Sequence, residues 1–265
     1  MKKLYFFRLG EQKGTLIAFL VGLTVFSCIM AWSYEAFSDD SGFLTQMFSQ
    51  FEDLMQAFVG VGFSLDEMAA SYFGMTWRHP LVLFLIMGFG ISRSVGITRE
   101  IQSGTGDLLF TLPLKRYLVI FTEFMATVTG LFLINLLLVI AVIVWSLVFG
   151  IEDIPGFYGF LWAFLISFYL HVMFAALALA IACLSKTTSQ ASAWTISIIA
   201  IFYVTDFLAS LQPQLEFLQP FTLFYQYQVP EALAGNALWT GSLIYIGLTL
   251  TFLGTSFFLI QRRDL

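Results

Sequence analysis

The sequence predicts an all-α integral membrane protein, a six-transmembrane-helix bundle, and three observations carry that prediction. The 265-residue chain is 59% hydrophobic and 11% charged, whereas a soluble domain is about 45–50% apolar and about 25% charged. Apolar runs long enough to cross a hydrocarbon core of about 30 Å, which takes about 20 helical residues, occur near 15–32, 80–97, 117–149, 157–184, 193–211 and 238–260. The connections between these runs then alternate in charge. Short cytoplasmic loops hold an excess of Lys and Arg. Lys2, Lys3, Arg8, Lys13, Arg93, Arg99, Lys115, Arg116, Lys186, Arg262 and Arg263 fall on one side and only Arg78 on the other, where Glu35, Asp39, Asp40, Glu52, Asp53, Asp66, Glu67, Glu152, Asp153, Glu216 and Glu231 gather. Both termini are therefore expected in the cytoplasm. The low isoelectric point of 4.9 reflects an acidic outer face, and no basic surface suggests nucleic acid.

Taken in order, the first run follows a basic start, but no A-x-A-like cleavage site follows Trp32, so it reads as a retained span rather than a signal peptide. The outer loop 33–79 comes next. Phe43, Leu44, Met47, Phe48, Phe51, Leu54, Met55 and Phe58 share one helical face, with Ser41 as a cap. A second helix start stands at Ser64-Leu65-Asp66-Glu67, a capping-box spacing, with Leu65, Met68, Ala69, Tyr72 and Phe73 as its apolar stripe. Two amphipathic helices are expected there, on the outer surface or over the mouth of the bundle. The third run, Tyr117 to Phe149, exceeds the bilayer: at 1.5 Å per residue it extends about 50 Å, so Thr122, Glu123 and Thr127 are expected to project towards the cytosol. Between the fifth and sixth runs, Pro213, Pro220 and Pro230 among Phe217, Phe221, Phe224, Tyr225 and Tyr227 suit short interfacial or re-entrant pieces. No linker or repeat divides the chain, so residues 1–265 read as one membrane domain. Cys28 and Cys183 fall near opposite ends of their spans, beyond the ~7 Å Cα limit of a disulfide.

Some chemistries are absent. His79 and His171 are the only histidines and no Cys-x-x-Cys pair exists, so a metal site is not expected. No G-x-x-x-x-G-K-[ST] phosphate loop occurs; ATP, if used, is hydrolysed by another chain. Polar side chains inside spans are costly and are functional candidates by default. His171, Asn135 and Asp206 are the substrate-path candidates, each with a plain alternative: an interhelical hydrogen bond for His171 or Asn135, a place at the outer interface for Asp206.

The stretch 98–116, TREIQSGTGDLLFTLPLKR, carries the sharpest pattern. Gly104-Thr105-Gly106 breaks the helix entering from the second span. Thr105 then caps a short cytoplasmic helix with Asp107 in its first turn, Leu108, Leu109 and Leu112 as its ridge, and Pro113 ending it. Glu100, Gly104-Thr105, Asp107, Leu108-Leu109, Pro113 and Arg116 match, in order and spacing, the E-x-x-x-G-T-x-[ED]-x-L-x-x-x-P-x-x-R pattern of permeases in the type-2 ATP-binding-cassette (ABC) transporter family, which this chain resembles. The closing Gln261-Arg262-Arg263-Asp264-Leu265 is similar to that family's terminal motif. Glu123 departs from the basic residue expected in the entry to the third span, so no role is carried over to that position.

The resemblance, closest to prokaryotic antibiotic and toxin export permeases, implies a multi-pass subunit of a prokaryotic cell membrane. It implies no cofactor in this chain, ATP and Mg being bound by a partner ABC ATPase, and a second permease chain as homodimer or paralogous heterodimer within membrane lipid. The ATPase-coupling residues would be Glu100, Gly104, Thr105, Asp107, Leu108, Leu109, Pro113 and Arg116, with Glu100 tying the element to a basic partner. The expected function is export of a hydrophobic or amphipathic substrate, whether drug, antibiotic, peptide or lipid. The rivals are an intramembrane enzyme using His171 and Asp206, and an ion exporter or channel.

Overall fold

The computed structural model describes residues 2–38, 68–104, 115–151 and 154–262, and among them every regular element is helical. The helices are α1 (Lys2–Gly10), α2 (Lys13–Ser38), α3 (Met68–Arg78), α4 (Pro80–Ser94), α5 (Gly96–Gln102), α6 (Arg116–Val148), α7 (Phe157–Leu184), α8 (Thr188–Leu211), a 3-10 helix Pro213–Phe221, α9 (Val229–Leu233) and α10 (Trp239–Arg262). Among the described residues six helical stretches are long and apolar enough to span a membrane: α2, α4 continuing into α5, α6, α7, α8 and α10. Residues 2 and 262 therefore lie at one end of the bundle, here the terminal end; the opposite end is the far end.

The boundaries follow caps more than hydropathy. Pro80 occupies the first turn of α4, where its missing N–H costs nothing, and the preceding His79 accepts a bond from the Leu81 amide. Helix α8 starts at Thr188, five residues before the apolar run, because the Thr187 hydroxyl accepts the Gln190 amide at 3.2 Å and caps the polar first turn. Helix α2 runs past the apolar segment to Ser38. Its Tyr34 packs against Tyr72 and Phe73 of α3, with ring centroids 5.1 and 5.4 Å apart.

Helix α7 is the centre of the bundle, packed against α4, α6, α8, α9 and α10. A helix apolar all round belongs in such a position. Small residues such as Ala175, Ala176, Ala178 and Ala182, all buried, allow close approach of its neighbours. By contrast α2, α8 and α10 are largely exposed, as lipid-facing or partner-facing spans are.

At the far end, α3 is buried on nearly every side, with Tyr72, Phe73 and Trp77 inside the core, rather than lying on the surface by one stripe. The segment between α8 and α10 folds back into the bundle: Phe224, Tyr227, Val229, Ala232 and Leu233 are all buried. Helix α9 is held between α3 and α7, and Gly159 makes this possible, because a Cβ there would lie 2.3 Å from the Leu233 carbonyl oxygen. Gly159→Ala is therefore expected to destabilise the fold by about 1–3 kcal/mol, the usual range for overpacking. An unchanged Tm in detergent would contradict this packing.

Several expected features lie outside the described residues: the first loop helix around 43–58, the capping box Ser64–Glu67, the stretch Thr105 to Leu114 and the terminal Arg263-Asp264-Leu265.

Candidate functional site

Helix α5 carries the first residues of the 98–116 stretch, and its end is set by backbone chemistry. It closes at Gln102 with Ser103 as cap, and Gly104 follows at φ +76°, a left-handed conformation that favours glycine. Arg116 opens α6. Thr105, Asp107, Leu108, Leu109 and Pro113 lie outside the described residues.

Three side chains of α5 each reach a different neighbour. The buried Thr98 hydroxyl donates to the Ala182 carbonyl of α7 at 2.8 Å. The Gln102 side-chain oxygen accepts from the amide and hydroxyl of Thr188 at the start of α8, at 3.2 and 3.3 Å. The Glu100 carboxylate pairs with Arg8 of α1. The cation paired with Glu100 is thus a residue of the same chain.

Arg8 is the hub of a charged cluster at the terminal end. Besides Glu100 it meets Glu123 of α6 at 2.8 Å and Glu11 at 3.1 Å; Arg93 of α4 approaches Glu11 at 3.7 Å and Glu123 at 3.9 Å. Glu123 is 5% exposed and would be costly there without those cations. This accounts for the acid at the entry to the third span: the positive charge comes from Arg8 and Arg93 instead. Helix α1 is docked on α6 through Tyr5, whose hydroxyl lies 2.8 Å from that of Thr129. The following Gln12 fits against Gly130, where any Cβ would sit 2.5 Å from its side-chain oxygen. Nothing in the apolar pattern marked α1, a nine-residue helix with three cations; the excess of basic residues before the first span was its only trace.

Of the three substrate-path candidates, two come together. His171 of α7 and Asn135 of α6 are 1% and 0% exposed, with His171 Nδ1 3.2 Å from Asn135 Oδ1. The Asn135 amide nitrogen donates to the Leu131 carbonyl at 2.8 Å, and His171 Nε2 is buried without a hydrogen-bond partner. Asp206 stands apart at the far end. Its Oδ2 meets Arg78 at 3.1 Å and its Oδ1 accepts the Thr222 hydroxyl at 2.6 Å. Arg78 also donates to the Tyr227 carbonyl at 2.8 Å, and the Tyr227 hydroxyl lies 2.9 Å from that of Ser167, one turn from His171 on α7. Burial pushes the Tyr227 phenol above its ordinary pKa, so it stays a protonated hydrogen-bonding group. The single base on the acidic side of the sequence is thus the partner of the single acid within the fifth span. Among the described residues no group of three His, Cys, Asp or Glu side chains is arranged to hold a metal ion, and no disulfide joins Cys28 to Cys183.

Among the described residues, an all-helical bundle with six stretches long and apolar enough to cross a membrane defines a multi-pass membrane protein. Residues 13–265 match the family described as ABC-2 family transporter protein, and the chain belongs to that family of type-2 ABC transporter permeases. No curated protein and no solved structure gives a significant match.

Proposed function

We propose that this chain is the membrane-spanning subunit of an ABC exporter of the prokaryotic cell membrane, with both termini cytoplasmic. It moves a hydrophobic or amphipathic substrate outward, working as a pair of permease chains on separate ATPase subunits. The observation that carries this reading is the bracing of α5 through Thr98, Glu100 and Gln102 to α7, α1 and α8. A stretch that only turned the chain between two spans has no need of three such ties. A push delivered at 105–114 reaches most of the bundle through them, and a ligand-driven change requires such a differential contact. Leu108 and Leu109 fill a groove on the ATPase in this account, with Thr105, Asp107, Pro113 and Arg116 shaping the element. The testing experiment is co-expression with a candidate ABC ATPase. The ATPase subunit is expected to co-purify and to carry all the hydrolysis, and ATP turnover by the purified chain alone would overturn the assignment.

The His171–Asn135 pair supplies the polar atoms a substrate meets when α6 and α7 part. His171→Ala is expected to change substrate-stimulated ATPase activity of the complex while expression persists. The lost interhelical bond is worth only about 0.6 kcal/mol. Unaltered stimulation with a lowered Tm would assign the pair to helix packing alone.

A further inference from the structure

We propose that the flank formed by α1, α2 and α6 seats one resident phospholipid with an anionic headgroup, distinct from any transported substrate. The first observation is a groove of about 340 Å³ between α2 and α6 lined only by Leu and Ile, among them Ile17, Leu20, Leu133 and Leu137. Its volume falls within the usual 300–1,000 Å³ of small-ligand sites, and it lies on membrane-spanning helices, where an acyl chain is the apolar molecule at hand. The second is a hollow of about 200 Å³ further along the same flank of α6, lined by Lys2, Tyr5, Phe121, Thr122 and Met125. From Met125 to Leu133 is about 12 Å along a helix, within the ~15 Å depth of one leaflet of a ~30 Å core. A headgroup at the hollow therefore places its chain at the groove.

Charge selects the headgroup. Arg8 and Arg93 are engaged by Glu11, Glu100 and Glu123, whereas Lys2, Lys3 and Lys13 are exposed. Among the described residues no carboxylate pairs with these lysines. Phe6 and Phe7, 56% and 61% exposed beside them, give α1 the mixture of aromatic and basic side chains that lies at a membrane interface. Of these cations Lys2 lines the hollow at the headgroup end of the groove, Lys3 follows it on α1, and Lys13 opens α2 one turn before Ile17 of the groove. The proposal rests on the membrane-spanning fold and not on the direction of transport, so its failure leaves the exporter reading standing.

The test is native mass spectrometry of the full chain, delipidated in mild detergent and titrated with phosphatidylglycerol or phosphatidylcholine. Wild type is expected to retain one phosphatidylglycerol per chain in preference to phosphatidylcholine. That preference should fall about fivefold for each of Lys2→Ala, Lys3→Ala and Lys13→Ala, the usual worth of a lysine at an anionic surface. Leu133→Trp, at a position open to the outside, should abolish retention of either lipid by filling the groove. The lysine replacements are on the exposed surface, so they test the headgroup even if the tryptophan variant folds poorly. Equal retention of both lipids by wild type would overturn the proposal. So would a Leu133→Trp variant that keeps its lipid but loses a dimer, which would make a second copy of the chain the occupant of the groove.

Discussion

Arg78→Met is expected to destabilise the folded chain by about 3–5 kcal/mol, the cost of removing one partner from a buried ion pair. Asp206, 4% exposed, would keep only the Thr222 hydroxyl on its carboxylate, and the Tyr227 carbonyl would lose the Arg78 donor at 2.8 Å. The damage would extend along the chain, because this pair ties α3 to α8 and to the segment that folds back through Thr222 and Tyr227. The double variant Arg78→Met with Asp206→Leu should recover most of the loss, since replacing a buried pair by apolar groups is often neutral. Thermal melts of wild type, Arg78→Met and the double variant in detergent measure this. A single variant as stable as wild type would show that the pair holds nothing together.

Arg8→Gln is expected to be comparably severe and to act on coupling as well. Glu100 would lose its pairing with Arg8, and Glu11 and Glu123 would be left to Arg93, 3.7 Å and 3.9 Å away. The buried Glu123 would lose its 2.8 Å partner, and α5 would lose its tie to α1. In the ATPase complex the expected result is ATP hydrolysis that persists with little transport, together with a lower Tm. Adding Glu123→Gln should restore part of the stability by removing the stranded charge. It should not restore transport, because the Glu100 contact stays broken. Full transport in Arg8→Gln would mean that α1 plays no part in transmitting the motion.

Much of the architecture was legible in the sequence because membranes impose a simple rule. An apolar stretch of about 20 residues must be helical to satisfy its own backbone, and all six runs lie in helices of spanning length. The ends were less legible. Thr187 starts α8 ahead of its apolar part, and α2 continues to Ser38 with Tyr34 in contact with the rings of Tyr72 and Phe73. Pairings were the least legible, since Arg78 and Asp206 lie 128 positions apart and Arg8 and Glu100 lie 92 apart. Hydropathy says that such groups need partners without saying which. The charge rule did isolate Arg78, but Glu123, expected to project towards the cytosol with Thr122 and Thr127, is buried like both of them, because α1 covers that part of α6. Helix α1 escaped notice because nine residues with three cations resemble a basic leader more than an element of structure.

The central claim is that residues 98–116 carry ATPase motion into the bundle, and Leu109→Asp tests it most directly. An aspartate at a dry contact would be buried unpaired, at a cost of several kcal/mol. The measurement is transport and substrate-stimulated ATP hydrolysis by the permease–ATPase complex in proteoliposomes, alongside recovery of the ATPase in an affinity pull-down. Transport is predicted to collapse and the ATPase to detach or run unstimulated, while the Tm of the permease stays unchanged. Wild-type transport with undiminished ATPase binding would contradict the account.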